Sequence, residues 1–204
     1  MSVLIVDYGA GNLSSVSRAF DRCGANVFVD ERPESIEEAD HIVIPGVGDF
    51  AQAISRMTRA GWDVALWRAA FEEKIPVLGI CLGMQLLSAI GEESGLSHGL
   101  GLIDGRVVRL EPSSANERIP HVGWNEVYPV NGSTLFQGIA PGTDFYFVHS
   151  YHFKPARKAD VAATTPYCGE FVSAVSQDNI YGVQFHPEKS SKAGMTLIRN
   201  FIEL

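Results

Sequence analysis

Cys81 stands between Gly79 and Gly83, at the point where two apolar patterns meet. The run Val77-Leu78-Gly79-Ile80 predicts a buried strand. The pattern from Leu82 through Met84, Leu86, Leu87, Ala89 and Ile90 predicts a helix. A sharp strand-to-helix turn brings two backbones close together, so the positions beside the joint must be small. This is the layout of a nucleophile elbow, with cysteine in place of serine. The turn lifts the side chain to the tip of the sheet, at the helix end that favours thiolate, the nucleophilic form. Read alone, Cys81 could equally be a buried structural cysteine.

A cysteine nucleophile needs a base, and the base needs a group to orient it. Late in the chain the run Gly182-Val-Gln-Phe185 leads into His186-Pro187-Glu188. Alternation along a strand would put His186 and Glu188 on one side, with Pro187 between them at the strand's end. Glu188 would hold the imidazole tautomer, and His186 would take and return protons. Acyl transfer also needs donors for an oxyanion. The N–H of Leu82, just after the nucleophile, is one candidate, and the glycine loop Pro45-Gly46-Val47-Gly48 could supply a second. The bland alternatives are a hydrogen-bonded loop histidine and glycines that only make a tight turn.

These residues need a scaffold that gathers them. Val3-Leu4-Ile5-Val6 and His41-Ile-Val-Ile44 are strands without polar alternation, as in the centre of parallel sheets. The first runs into Asp7-Tyr-Gly-Ala-Gly-Asn12. This loop lacks the third glycine of a dinucleotide fingerprint and the Lys-Ser/Thr of a P-loop. Helices are predicted over 13–23, 50–59 and 62–73, with a short strand at Asn26–Val29 and a loop or short helix over 32–39. Alternating strands and helices indicate an α/β fold with a parallel sheet. Sites in such sheets lie beyond the carboxyl ends of the strands, where the loops at 9–12 and 45–48 and Cys81 converge.

Beyond Ile90 the texture changes. Residues 91–105 read as a glycine-rich loop, with His98 facing solvent. Short strands are predicted at 105–109, 126–128, 145–149, 161–164, 172–175 and 180–184, then a closing helix over 193–202. The stretch Pro120-His121-Val-Gly123-Trp124-Asn125 reads as a loop. Its Trp could mark an interface or belong to the core. The whole, residues 1–204, reads as one α/β domain. Its central sheet is mixed and largely parallel, with flanking helices and a β-rich second half.

Composition limits the classes of function. The chain has 204 residues, 46% hydrophobic and 20% charged, with a formal charge of −8 and no basic run. That argues against nucleic-acid or anionic-membrane partners. No stretch is long enough for a bilayer span, and the N-terminus lacks a signal h-region. Cys23, Cys81 and Cys168 are odd in number and lack metal-like spacing, which suggests a reducing compartment and neither a disulfide framework nor a metal site.

With these pieces assembled, the chain resembles class I (triad-type) glutamine amidotransferases, and among them the glutaminase subunits of imidazole glycerol phosphate synthases. The likeness runs from Asp7-Tyr-Gly-Ala-Gly-Asn12 to the final helix. It is carried by Pro45-Gly-Val-Gly48, Gly79-Ile-Cys-Leu-Gly-Met-Gln85, Pro120-His-Val-Gly-Trp-Asn125, Tyr146-Phe-Val-His-Ser-Tyr151 and Phe185-His-Pro-Glu-Lys-Ser-Ser191. The resemblance implies a flavodoxin-like sheet and glutamine hydrolysis by Cys81, His186 and Glu188 without a cofactor. Val47 and Leu82 would be oxyanion donors. Gly48, Gln85, His149, Ser150 and Tyr151 would bind L-glutamine. Asn12, Trp124, Asn125 and Lys189 would face a (β/α)₈-barrel cyclase subunit in a cytoplasmic heterodimer, which receives the ammonia and acts in histidine biosynthesis. The Pro45–Gly48 loop would reorient when the partner is occupied. The stretch Ser88-Ala-Ile-Gly-Glu-Glu-Ser94 is less acidic and more apolar than in that pathway's pattern. A paralogue feeding ammonia to nucleotide-sugar or surface-polysaccharide amination is therefore the alternative. A γ-glutamyl hydrolase or peptidase with the same triad and no partner, or a binding module that keeps the fold, are the readings from other classes.

Overall fold

The computed structural model describes residues 1–130 and 132–204. The first half alternates strand and helix: β1 (Ser2–Val6), α1 (Leu13–Arg22), β2 (Asn26–Asp30), β3 (His41–Ile44), α2 (Phe50–Ala60), α3 (Trp62–Phe71), β4 (Val77–Ile80) and α4 (Leu82–Leu86). The second half is mostly β: β5 (Ile90–Gly91), β6 (Ser97–His98), β7 (Gly105–Arg109), β8 (His121–Pro129), β9 (Thr143–His149), β10 (Tyr151–Pro155), β11 (Val161–Thr165), β12 (Phe171–Gln177) and β13 (Ile180–Val183). It closes with α5 (Ser191–Ile202).

Nine strands form one sheet in the order β2-β1-β3-β4-β13-β12-β11-β8-β9. The first five are mutually parallel. From β13 onward each neighbour is antiparallel. The parallel part has the order of a flavodoxin-like sheet. Its inner strands β1, β3, β4 and β13 are buried on both sides, which explains their apolar runs, while the edge strand β2 is partly exposed. Successive residues face opposite layers: Val3 and Ile5 pack with α1 and α5 against Phe20 and Phe201, and Leu4 and Val6 pack toward α2 and α3 against Trp62 and Leu66. A second sheet, β10-β7-β5-β6, lies beside the first.

Helix α2 begins where sequence rules place it. Asp49 Oδ1 accepts from the N–H of Gln52 at 2.9 Å, and Gly61 closes the helix at φ +85°.

Three expectations are corrected. The helix after Cys81 stops at Leu86 instead of reaching Ile90. Carbonyls that a longer helix would use are taken by a distant loop: Leu100 N–H donates to Leu86 O, Leu102 and Ile103 to Leu87 O, and Gly101 to Ser88 O. The stretch 121–125, read as a loop, is the first half of β8. Its residues pair with β9 in the register His121–His149, Val122–Val148, Gly123–Phe147, Trp124–Tyr146 and Asn125–Phe145. Pro120 and Gly123 imitate loop punctuation, but the pair forms the end of the sheet, where Gly123 is tolerated at φ +139°. Strand β10 was missed. His152 and Phe153 are both buried, so the period-2 signal is absent.

Candidate functional site

Cys81 sits at the carboxyl end of β4 with φ +55° and ψ −109°. A non-glycine residue in this region is strained by about 1–3 kcal/mol and needs surroundings that impose it. Those surroundings are the close approach of β4 and α4. A Cβ on Gly79 would collide with the backbone of Gly83, and one on Gly83 would collide with the carbonyl of Ile44. The N–H of Cys81 is fixed by Val183 O at 2.8 Å, across the β4–β13 ladder. The elbow is therefore locked from three sides.

The His-Pro-Glu segment reaches the same edge from β13. That strand ends at Val183, and His186 precedes a 3₁₀ turn, Pro187–Lys189. The turn, and not strand alternation, sets His186 beside Glu188, with Nδ1 2.8 Å from Oε1. Both side chains are nearly inaccessible, at 4% and 1% exposure. Burial pulls the His186 imidazole toward neutrality, but Cys81 and Glu188 outweigh it and raise its pKa from 6.5 to about 9. His186 Nε2 is buried without a hydrogen-bond partner. The Cys81 Sγ instead lies 3.8 Å from Val148 O and 3.7 Å from Gln184 Nε2. The turn is also tied to the outer strand of the sheet. The His186 N–H donates to Tyr146 O at 2.9 Å, the Tyr146 N–H donates to Ser190 Oγ at 3.0 Å, and Ser190 Oγ donates to His186 O at 2.6 Å.

A cavity of about 260 Å³ opens over the cysteine. Its wall holds Val47, Gly48, Cys81, Leu82, Gln85, Val148, His149, Ser150 and Tyr151, together with Glu93. Every residue expected to bind substrate or an oxyanion thus lines one space, and His186 and Glu188 are not part of its wall. The Pro45–Gly48 loop is pinned at one end. Tyr8 Oη donates to Pro45 O at 2.7 Å, and a Cβ on Gly46 would overlap Tyr8 Oη and crowd Leu82. Gly48 has open space and φ +110°. Among the described residues, the N–H groups of Val47 and Leu82 donate to no carbonyl.

Sequence reading missed two polar residues. Among the described residues, Glu93 is the one carboxylate in the cavity wall. Its Oε2 accepts from Phe50 N–H at 3.0 Å, and burial raises its pKa. Gln184 is fully buried, and its Oε1 accepts from Gln85 Nε2 at 3.0 Å. Gln85 Nε2 also donates to Tyr151 O at 2.9 Å.

The four residues expected at a partner interface separate. Trp124 is 52% exposed. It packs on Tyr146 with centroids 6.0 Å apart, and Lys189 Nζ stands 5.7 Å from that ring. With Val122 and Val148 opposite each other in the same register, they form an outward apolar strip at the cavity mouth. Asn12 is exposed at the start of α1 and caps nothing. Asn125 is half-buried, and its amide turns inward to His121 Nε2 at 3.3 Å.

No group of three or more His, Cys, Asp or Glu among the described residues is arranged to hold a metal ion, and no described helix is long and apolar enough to cross a membrane. All three cysteines are free.

The family described as class-I glutamine amidotransferase matches residues 4–204. The imidazole glycerol phosphate synthase subunit HisH of Moorella thermoacetica is 46% identical over 202 residues, covering 99% of this chain and 94% of that protein. Its counterpart from Chlorobaculum tepidum is 44% identical, covering 98% of this chain and 99% of that one. Among solved structures, PurLQS from Thermotoga maritima superposes with a TM-score of 0.78 at 17% identity, over 99% of this chain and 97% of that one. A structure titled "Crystal structure of glutamine amidotransferase" gives 0.77 at 18%, over 98% and 97%. At those identities the structural likeness bears on the fold alone.

Proposed function

This chain belongs to the class-I glutamine amidotransferase family, and we propose that it is the glutaminase subunit of an imidazole glycerol phosphate synthase. In this reading residues 1–204 form one amidotransferase domain. It hydrolyses L-glutamine to glutamate and ammonia, and passes the ammonia to a (β/α)₈-barrel cyclase subunit in histidine biosynthesis. The names of the relatives favour this pathway over surface-polysaccharide amination. The observation that carries the chemistry is Cys81 on a strained elbow, lining a cavity at the sheet edge that also carries the His186–Glu188 pair.

The Cys81 thiolate attacks the side-chain amide carbon of glutamine, and a tetrahedral oxyanion forms. The N–H groups of Leu82 and Val47 suit this oxygen, since neither has a carbonyl partner among the described residues. His186, charged through its pairing, gives its proton to the departing nitrogen, and ammonia leaves. The neutral imidazole then takes a proton from water, whose oxygen attacks the thioester. Glutamate leaves, and the thiolate–imidazolium pair returns. Glu188 holds the proton on His186 Nδ1 throughout. Glu93 suits the α-ammonium of a free amino acid. Gln85, Gly48 and the 149–151 segment enclose the rest.

The apolar strip of Val122, Trp124, Tyr146 and Val148, with Lys189 beside it, supports docking of the cyclase against the cavity mouth. A partner seated there would receive ammonia without its crossing bulk water. Exposure of Asn12 suits the same role.

The test is glutamine turnover by Cys81→Ala with the cyclase subunit present. Turnover is expected to fall by at least about 10³-fold, while synthesis from added ammonia continues. Wild-type-like glutamine turnover would overturn the assignment.

A further inference from the structure

Asn125, His121 and His149 form a string of side-chain hydrogen bonds whose two ends are chemically fixed. At the outer end, Asn125 Oδ1 accepts from the Glu126 N–H at 2.9 Å. The amide nitrogen is therefore the group that faces His121 Nε2, and an amide nitrogen can only donate. At the inner end, His149 Nδ1 lies 2.8 Å from Tyr151 O, and a carbonyl can only accept. Between them His121 Nδ1 and His149 Nε2 are 3.0 Å apart. Burial lowers the pKa of His121 to about 4 and that of His149 to about 3, so both rings are neutral at physiological pH. One assignment satisfies all three contacts: each ring carries its proton on Nδ1, and every donation runs inward from β8.

The string ends on an atom of the glutamine cavity. Tyr151 O also accepts from Gln85 Nε2, whose second hydrogen goes to Gln184, the residue 3.7 Å from the Cys81 sulfur. At the other end Asn125 sits next to Trp124, on the strand that carries the exposed apolar strip. The His121 ring is held flat by stacking on Tyr167 at 3.9 Å and Phe147 at 4.9 Å, so its nitrogens stay aimed along the string.

We propose that His121 is a positioning residue for glutamine: its Nδ1–H, given to His149, fixes the 149–151 wall and the Gln85 amide, and ties them to the partner-facing strand. The inference rests on the glutaminase reading and deepens it.

The test uses the complex with the cyclase subunit. His121→Phe keeps the stacking and removes the donor, so the KM for glutamine is expected to rise about tenfold, the size of one lost buried hydrogen bond, with a smaller change in kcat. Asparagine carries an N–H near the place of Nδ1, so His121→Asn is expected to return KM to within about threefold of wild type. A wild-type KM in His121→Phe, or equal impairment of both variants, would overturn the proposal. Should His121→Phe fail to fold, Asn125→Leu gives the same decision at a half-buried position. It removes the donor that faces His121 Nε2 and adds no charge, so nothing holds the proton on Nδ1. It is expected to raise KM, and an unchanged KM counts against the string. Imidazole ¹⁵N shifts in Cys81→Ala should show the Nδ1–H tautomer on both rings, and Nε2–H on either overturns the string without reference to turnover. Absence of glutamine turnover in the wild-type complex would instead overturn the glutaminase reading.

Discussion

His186 and His149 are buried histidines on two sides of the chemistry around Cys81, and burial pushes both toward neutrality. Each points its Nδ1 at an oxygen 2.8 Å away. For His186 that oxygen belongs to a carboxylate, and its pKa rises to about 9. For His149 it belongs to a backbone carbonyl, and its pKa falls to about 3. A formal charge at hydrogen-bond distance, with a second at Cys81, outweighs desolvation; a carbonyl dipole does not. One fold thus keeps a histidine of raised pKa beside Cys81 and a neutral one in the cavity wall. The proposed mechanism uses both, since a charged ring in the wall would break the inward direction of the proposed string.

The largest effect should come from removing that difference at its source. Glu188→Gln keeps the shape of the turn and deletes the carboxylate, so burial acts on His186 with less opposition and its pKa drops. We expect kcat for glutamine to fall by about 10²–10⁴-fold. The pH–rate profile of the complex should show the alkaline limb moving to lower pH. An unmoved limb would break the comparison.

The wild-type profile is the next sharpening. A raised histidine pKa means that the charged, paired form is fully present below the unfolded value of 6.5 and is lost as pH rises through about 9. Both kcat/KM and the stability from the pair should decline over that alkaline window. His121 and His149 have the opposite sign. As pH falls below 6.5 toward about 4 and about 3, the unfolded chain binds protons that the folded rings refuse, and stability falls with pH. Urea midpoints measured across pH should therefore peak near 6.5, and a monotonic curve would contradict the two-sided arrangement. The smallest expected effect is in His121→Phe, where the acid slope should flatten by the share of one proton.

The legible parts of the chain were those fixed by local chemistry. Strands β1, β3 and β4 were visible because burial on both faces leaves only apolar residues. The elbow was visible because two glycines are forced by backbone approach. Cys81, His186 and Glu188 could be gathered because strand ends in such sheets share one edge. What stayed hidden depends on distant segments. Helix α4 is short because the 100–103 loop takes its carbonyls. Strand β8 begins at His121 because β9 pairs with it despite Pro120 and Gly123. Glu93 lay in a stretch read only as a glycine-rich loop, and Gln184 at the end of a predicted strand. Asn125 was taken for a surface group because nothing local reveals that its amide turns inward to His121.

The contact between the His186–Ser190 turn and Tyr146 has a consequence for the life of the chain in a crowded cell. Strand β9 is the last of the nine-stranded sheet. An open strand there would invite edge-to-edge pairing with other chains. The backbone N–H and C=O of Tyr146 are instead occupied by Ser190 and His186. The segment proposed to move protons therefore also covers this point of the sheet's edge. A chain truncated before His186 should lose solubility along with activity, whereas a point change at Cys81 leaves that guard in place.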